Sequence, residues 1–420
     1  MKILVVGSGG REHAVIRKLK ENPTVEKIWC APGNGGISND AECVDIKATD
    51  VSGMVQFAKE NHVDFCVVTP DDPLALGMVD EMEKAGIPGF GPNEHAAVIE
   101  ASKAFSKDLM KKYGIPTADY EIFDNADDVL DYIRKKNKFP VVIKADGLAL
   151  GKGVLIASSM ADAKLAVREL MIDKAFGKAG NKVVVEEFMT GPEVSVLAFT
   201  DSKVIKPMIS SMDHKRVNDN DEGLNTGGMG TIAPSPYYTK EIAQECMEKI
   251  FLPTMHAMNA EDRPFKGCLY FGLMLTPEGP KVVEYNCRFG DPETQVVLPL
   301  LKTDLLTIMQ ACRNETLADV DIEWSDEAAV CVIEASGGYP VNYEKGFEIH
   351  GLDEQGQHEG VIVYHAGTKK VDGRYYTNGG RVLGITAVAP TLAEAGKRAY
   401  AAVDEIGFKK MHYRHDIVNI

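Results

Sequence analysis

The segment Glu284-Tyr-Asn-Cys-Arg288 sets a carboxylate, an amide and a guanidinium at alternate positions, side chains that suit a metal-bound polyphosphate. The run before it, Lys281–Tyr285, reads as a strand. In a strand Glu284 and Asn286 are two apart and face the same way, and Arg288 would continue that face. A carboxylate and an amide oxygen side by side suit Mg²⁺, which takes few protein ligands and keeps phosphate oxygens for the rest. A guanidinium beside them could hold the same phosphate bidentately. The plainer reading is a solvated strand face.

A second group precedes it. Phe139-Pro-Val-Val-Ile-Lys144 reads as a buried strand running into a lysine. A loop with Gly147, Gly151 and Gly153 follows, and a strand resumes at Val154. Such a hairpin can fold over a triphosphate and set an ammonium on it, although the Walker pattern is absent. The alternative is a flexible hairpin with incidental lysines. Lys103 sits in the first turn of a helix capped by Ser102 and ended by Gly114; alone it would be a solvated lysine. The strand Lys182–Phe188 ends in Glu186, Glu187 and Phe188, a possible adenine hinge, with Glu193 within reach of ribose hydroxyls. Read alone, that pair of carboxylates is a solvated strand end.

Near the start, Lys2–Val6 closes on Gly7-Ser-Gly-Gly-Arg-Glu-His13. The dinucleotide fingerprint fails here: Glu12 stands at the third glycine, and no acid ends the second strand. A phosphate loop fits better, with the N–H groups of Gly9, Gly10 and Arg11 at a helix N-terminus. A tight βα turn is the alternative. The turn Gly33–Gly36 and the loop Thr69-Pro-Asp-Asp-Pro73 should crowd the same sheet edge.

The elements that must position these residues follow from periodicity. Strands at Lys2–Val6, Val25–Cys30, Glu42–Ile46 and Phe65–Val68 alternate with helices, among them Val51–Glu60 and Pro73–Lys84, which predicts a parallel α/β sheet. A helix over Ala161–Met171 and a strand over Val194–Phe199 follow. Asp213-His-Lys-Arg216 and Asn225-Thr-Gly-Gly-Met-Gly230 read as one long loop without structure of its own. Phe271–Leu275 and Lys281–Tyr285 form a hairpin. Residues 325–420 read as a small α/β unit, with strands Ala328–Ala335, Gly360–Tyr364 and Arg381–Ala389 and a helix over Leu392–Ile406. The division expected is 1–101, 102–324 (with a lid over about 120–190) and 325–420.

Composition excludes several roles. Among 420 residues, 46 are Lys or Arg and 62 are Asp or Glu, a net charge of −16. Such a surface repels phosphate backbones and anionic lipid, so neither nucleic acid nor membrane is expected as a partner. The eight cysteines are scattered without a C-x-x-C pair, as reduced thiols would be. There is no signal-peptide pattern and no run of 18 apolar residues, so a cytoplasmic protein is expected.

Taken together, these motifs resemble the phosphoribosylamine–glycine ligase (glycinamide ribonucleotide synthetase) family of the ATP-grasp superfamily, over the whole chain. The matching pieces are Gly7–Ala14, Ala31-Pro-Gly-Asn-Gly35, Gly91-Pro92, Ser102-Lys-Ala-Phe105, Val142–Ala149 with Gly151-Lys-Gly-Val154, Glu186-Glu-Phe188, Asp213-His-Lys-Arg-Val217, Asn225–Gly230, Glu284–Gln295 and Tyr413-Arg-His-Asp416. The resemblance implies a mixed α/β and α+β fold: a parallel-sheet pre-ATP-grasp domain, a two-lobed ATP-grasp domain and a small C-terminal domain closing over the ATP site. It implies that glycine, 5-phosphoribosylamine and ATP are joined through a glycyl phosphate in purine biosynthesis, with Mg²⁺ or Mn²⁺ on Glu284 and Asn286. It assigns ATP to Lys103, Lys144, Gly151, Lys152, Gly153, Glu186, Glu187, Phe188 and Glu193. It assigns the phosphate of phosphoribosylamine to Gly9 and Gly10. The acceptor side falls to Asp213, Lys215, Thr226, Gly227, Gly228, Arg288 and Asp291, and the catalytic cations are Lys144 and Arg288. One departure is Thr69-Pro-Asp-Asp-Pro-Leu74, where the family has Gly-Pro-Glu-x-Pro-Leu. A monomer is expected. The alternatives are another ATP-grasp ligase or carboxylase, and a nucleotide-binding regulatory protein without catalysis.

Overall fold

The structure, a computed structural model, describes residues 1–149 and 151–420. It is mixed α/β, as the alternation of periods requires. The first hundred residues form a five-stranded parallel sheet. Its strand order is Glu42–Cys43, Lys27–Pro32, Lys2–Gly7, Phe65–Val68 and Gly89–Phe90. The central strand is buried on both faces, so Ile3, Leu4, Val5 and Val6 read as one apolar run without alternation. Two expectations shift. The helix expected over Pro73–Lys84 is two helices, Asp71–Ala75 and Met78–Lys84, broken at Gly77, whose φ of +81° no helix accepts. The strand expected over Glu42–Ile46 keeps its first two residues, an exposed edge with little to bury.

Two antiparallel sheets make the middle. One orders Ile205–Pro207, Glu193–Asp201, Lys266–Thr276 and Gly279–Asn286; the other orders Tyr120–Phe123, Val183–Glu187, Val141–Ala145 and Val154–Ala157. The second has its own small core, in which Ile143, Ala145, Val183 and Val185 pack on Val129, Ile133, Val167 and Leu170 from two helices. The Gly147–Gly153 loop joins its last two strands.

The segment 213–230, expected as a bare loop, has strands of its own. Arg216–Asn218 and Glu222–Asn225 pair as a hairpin, and Gly230–Ala233 pairs antiparallel with Ala328–Ser336, Gly230 opposite Val332. The sheet near the C-terminus therefore runs Met212–Asp213, Gly230–Ala233, Ala328–Ser336, Arg381–Ala389 and Ile362–His365. Two of its strands come from the middle of the chain and cover what would otherwise be an open edge. The helix Leu392–Val403 lays Ala395, Ala399, Ala402 and Val403 on this sheet. Another hairpin, Thr368–Val371 with Arg374–Thr377, was not apparent from the sequence.

Candidate active site

The site starts on the strand Gly279–Asn286. Glu284 stands opposite Gly272 and Asn286 opposite Tyr270 on the neighbouring strand, so the two share a face, as their spacing requires. Asn286 is buried. Glu284 is about one-third exposed and lies 3.4 Å from Nζ of Lys215. Burial alone would raise the Glu284 carboxyl. Lys215, Lys144, Lys103 and Arg288 outweigh it and hold the group below the ordinary glutamate range. One anion thus lies among four cations drawn from four separate segments.

Lys144 comes in from the lid sheet. Its side chain is nearly buried, with Nζ 3.0 Å from Oε1 of Glu186 and donating to the Val283 carbonyl at 3.2 Å. The other oxygen of Glu186 lies 3.5 Å from Lys107, which also donates to Thr117 Oγ1 at 2.7 Å. Burial pushes the Lys107 ammonium down to about 8, against the pull of Glu186. The Glu186 side chain therefore faces inward and is spent on two lysines, whereas Glu187, one residue on, points out to Lys138 at 2.7 Å. The Glu187 N–H is given to the Asp119 carbonyl. Phe188 is partly exposed.

Lys103 is not the solvated lysine its position alone suggested. Nζ donates to the Gly147 carbonyl at 3.0 Å, at the root of the glycine loop. Asp146 fixes that junction, accepting from Ser102 Oγ at 3.0 Å and from the Ala104 N–H at 2.7 Å. Within the loop Gly151 has φ +72°, and the Ala145 N–H donates to the Gly153 carbonyl at 2.8 Å. A side chain on Gly153 would meet Ala149 and Ala145. Glu193 begins the next strand and is exposed, beside Asp213 and Lys215 in a small polar recess.

Arg288 departs from the expected strand face. The strand ends at Asn286, and the guanidinium turns to Glu100, Nη2 lying 3.0 Å from Oε1. Nη1 donates to the Phe289 carbonyl at 3.3 Å. Nε is buried with no hydrogen-bond partner among the described residues. Burial opposes the charge, but Glu100 and Asp71 raise the group further, so it remains a cation.

A second cluster gathers at the helix Gly10–Leu19. Glu12 is almost fully buried and accepts from the Gly9 N–H at 3.0 Å, from Arg11 and from Thr69 Oγ1 at 2.8 Å. In this structure the Gly9 amide is engaged by Glu12. A Cβ on Gly9 would also lie 3.1 Å from Oδ2 of Asp291, and one on Gly10 2.6 Å from Nε2 of Gln295. Burial would raise Asp291, but Arg381, Arg11 and Gln295 hold it low. The Gly33–Gly36 turn crowds the same sheet edge, as expected: the Gly33 N–H donates to the Gly7 carbonyl at 3.0 Å and Asn34 Nδ2 to the Ser8 carbonyl at 2.9 Å. It packs under residues 365–370, with the Gly35 N–H donating to the Thr368 carbonyl at 3.0 Å and Asn34 Nδ2 to the His365 carbonyl at 2.8 Å.

Between the clusters lies the Thr226–Gly228 segment. The Thr226 hydroxyl donates to the Lys215 carbonyl at 2.8 Å and accepts from the Gly228 N–H at 3.0 Å. Asp213 packs against Gly228; its Oδ1 is buried without a partner among the described residues, and burial together with Glu293 raises the carboxyl. Arg381, which the sequence reading missed, donates to the carbonyls of Gly227 and Asp291, both at 2.9 Å. Glu100, Lys107 and Asp146 were missed as well. The available signal was an acid or lysine on an otherwise buried helix face or at a strand end.

A divalent cation fits the first cluster. Among the described residues no group of three or more His, Cys, Asp or Glu side chains could hold a metal. Glu284 and Asn286 offer one ionised carboxylate and one amide oxygen, hard donors that leave most positions to phosphate oxygens. Among the described residues no helix is long and apolar enough to cross a membrane.

Family models for the N, ATP-grasp and C domains of phosphoribosylglycinamide synthetase match residues 1–100, 101–294 and 329–419. A phosphoribosylamine–glycine ligase of Caldanaerobacter subterraneus subsp. tengcongensis is 49% identical over 417 residues, covering 99% of each chain. The crystal structure of the Thermotoga maritima phosphoribosylamine–glycine ligase matches with a TM-score of 0.85 at 32% identity, covering 99% of this chain and 100% of that one. A biotin carboxylase domain from Hydrogenobacter thermophilus, solved with MgADP, shares the fold with a TM-score of 0.73 at 16% identity, over 98% of this chain and 91% of that one. With all three domain models in chain order and close relatives spanning its full length, the chain belongs to the phosphoribosylglycinamide synthetase family.

Proposed function

We propose that the chain ligates glycine to 5-phosphoribosylamine at the expense of ATP, giving glycinamide ribonucleotide, ADP and phosphate in purine biosynthesis. The observation that carries this reading is the cation cluster at the Glu284–Asn286 face: Lys215 lies 3.4 Å from Glu284, Lys144 donates to the adjoining Val283 carbonyl, and Lys103 is fixed at the root of the glycine loop. Phosphoryl transfer needs fixed positive charge around the moving group more than a covalent nucleophile.

In this reading a carboxylate oxygen of glycine attacks the γ-phosphorus, and the bond from that phosphorus to the β-bridging oxygen breaks as ADP leaves. The amine nitrogen of phosphoribosylamine then attacks the acyl carbon. The carbon–oxygen bond to phosphate breaks, and the amine gives up a proton. Glu284 and Asn286 would hold Mg²⁺ or Mn²⁺, whose charge would offset that of the phosphate oxygens. Lys144, oriented by Glu186, and Lys103, anchored at the loop root, supply ammonium groups to the triphosphate. Arg288, whose Nε has no hydrogen-bond partner among the described residues, supplies a further fixed cation. The loop through Gly151, Lys152 and Gly153 covers the nucleotide and keeps water from the acyl phosphate. The Glu186–Phe188 strand end meets adenine and Glu193 the ribose. Gly9 and Gly10 approach the phosphate of phosphoribosylamine, with Asp213, Lys215, Thr226, Gly227, Gly228 and Asp291 lining its side.

We read residues 1–101, 102–324 (lid about 120–190) and 325–420 as the working units, and the enzyme as a cytoplasmic monomer. The unpaired state of all eight cysteines supports the compartment. The test is turnover with ATP, glycine and freshly prepared phosphoribosylamine, each omitted in turn. Product formation that requires all three is expected. ATP hydrolysis indifferent to glycine and to the amine would overturn the reading.

A further inference from the structure

The sequence motif Tyr413-Arg-His-Asp416 has no place in the reaction described above, yet Arg414 is among the most completely buried large side chains of the molecule. Its Nε and Nη2 donate to the two oxygens of Asp416, each at 2.8 Å. Its Nη1 donates to the Arg216 carbonyl at 3.1 Å and to Oδ1 of Asp221 at 3.0 Å. The neighbours of Arg414 grip the same hairpin. Asp416 accepts the Asn220 N–H at 2.8 Å, the His415 N–H donates to Asp219 at 2.8 Å, and the His412 ring lies 2.7 Å from the Val217 carbonyl. Tyr400 in turn fixes the tail, donating to the Arg414 carbonyl at 2.7 Å and accepting from the Ile417 N–H at 3.2 Å.

The hairpin so held spans Arg216–Asn225, with Arg216 opposite Asn225. Lys215 precedes its first strand and Thr226 follows its second, and the Thr226 N–H closes the base on the Lys215 carbonyl at 2.7 Å. Lys215 reaches Glu284, and Thr226 holds the Gly228 N–H. The hairpin strands are short and largely exposed, with Val217 their buried apolar side chain. Its own packing is therefore weak, and its position depends on the tail.

We propose that Arg414 is a positioning residue for Lys215 and Thr226: the C-terminal tail clamps the 216–225 hairpin and thereby fixes the substrate-facing segments at both of its ends. This rests on the reading of Lys215 and Thr226 as substrate contacts. Arg414 touches the backbone of the residue next to Lys215 and no site atom, so it acts through the hairpin.

The experiment compares the parent chain with Arg414→Gln, Arg414→Lys and Asp219→Ala, using steady-state kinetics in each substrate and amide hydrogen exchange. Asp219 is partly exposed, and its loss removes the His415 contacts without burying an unpaired charge; it carries the test if Arg414→Gln does not fold. The expected result for Arg414→Gln is a KM for glycine or phosphoribosylamine raised about tenfold or more, as for lost supporting contacts elsewhere. The KM for ATP should stay within about twofold, and exchange of amides 216–226 should quicken ahead of the rest of the chain. Arg414→Lys and Asp219→Ala should show the same pattern, less strongly. Unchanged acceptor KM in folded variants, or exchange at 216–226 as slow as in the parent, would overturn the proposal. A uniform loss of active enzyme at unchanged KM would also overturn it, since that is the mark of a merely structural residue. Turnover of the unaltered chain tests the underlying reading separately.

Discussion

Glu100 holds Arg288 with one carboxylate oxygen and the adjoining peptide with the other: Oε1 lies 3.0 Å from Nη2, and Oε2 accepts the Cys287 N–H at 2.7 Å. Glu100 comes from the helix Glu94–Ala101 and Arg288 from the loop after the strand Gly279–Asn286, so the pair spans the junction of the two. Because Nη1 is also engaged, the guanidinium is locked with Nε left open. Glu100→Gln keeps the shape and removes the charge. We expect kcat to fall about 10- to 100-fold, the range for loss of a group that orients a reacting one, with the KM for ATP little changed. A kcat within twofold of the parent would show that Arg288 needs no such anchor.

Lys144→Met and Glu284→Ala should each remove nearly all activity. Losing one preorganised electrostatic contact costs about 3–4 kcal/mol in the transition state, or two to three orders of magnitude in rate. Lys144→Met leaves Lys107 on Glu186, so that buried carboxylate keeps a partner and the fold should survive. Far-ultraviolet circular dichroism would check the fold, and coupled ADP release the rate. Steady-state rates within threefold of the parent would take the altered residue out of the mechanism.

What the sequence made legible was local. Ser102 and Gly114 mark helix ends by short-range capping, and the structure has Ser102 Oγ accepting the Phe105 N–H and Gly114 at φ +67°. The shared face of Glu284 and Asn286 follows from the pleat alone. Partners far along the chain were not legible. Arg381 meets Gly227 across 154 residues and Cys287 meets Glu100 across 187, and no periodicity encodes such pairs. The 216–225 hairpin was missed for another reason. Its strands bury almost no apolar surface, so the alternation that betrays a strand is absent, and its stability comes from Arg414 and its neighbours.

A buried histidine pair predicts an acid limit. The backbone N–H of His365 donates to Nδ1 of His13 at 2.9 Å, and Nε2 of His13 lies 2.8 Å from Asp40, so the His13 ring joins the first helix to the C-terminal sheet. Burial pushes both imidazoles down, His365 to about 3, with Asp40 opposing and Arg17 assisting. In the unfolded chain each protonates near its ordinary value of about 6.5. Between about 6.5 and 3 the unfolded state thus binds more protons, so stability is complete above that window and falls as pH drops through it. Asp40, held far below the usual aspartate range, contributes stability that is lost only below about 4. Urea unfolding at about pH 7.5, 6 and 5 should show the parent losing up to roughly 1.4 kcal/mol per pH unit from His365, with His13 adding to the fall. His365→Gln should flatten that slope. Equal slopes in parent and variant would mean that His365 titrates alike in both states.

A carboxylate can be activated by attack on either of two phosphorus atoms of ATP. Attack at γ gives an acyl phosphate and ADP; attack at α gives an acyl adenylate and pyrophosphate. The arrangement of cations favours the first. Lys103 and Lys144 stand where the glycine loop is rooted, and Lys215 and Arg288 join them around Glu284. Positive charge gathered around one anion-binding position suits a terminal phosphoryl group in flight between two oxygens. The expected stoichiometry is therefore one ADP and one phosphate per amide formed, with no AMP. Oxygen-18 placed in the glycine carboxylate should be found in the released phosphate, because that oxygen makes the bond to phosphorus and leaves with it. AMP and pyrophosphate as stoichiometric products, or phosphate free of label, would remove the acyl phosphate and with it the roles given to Lys103, Lys144, Lys215 and Arg288.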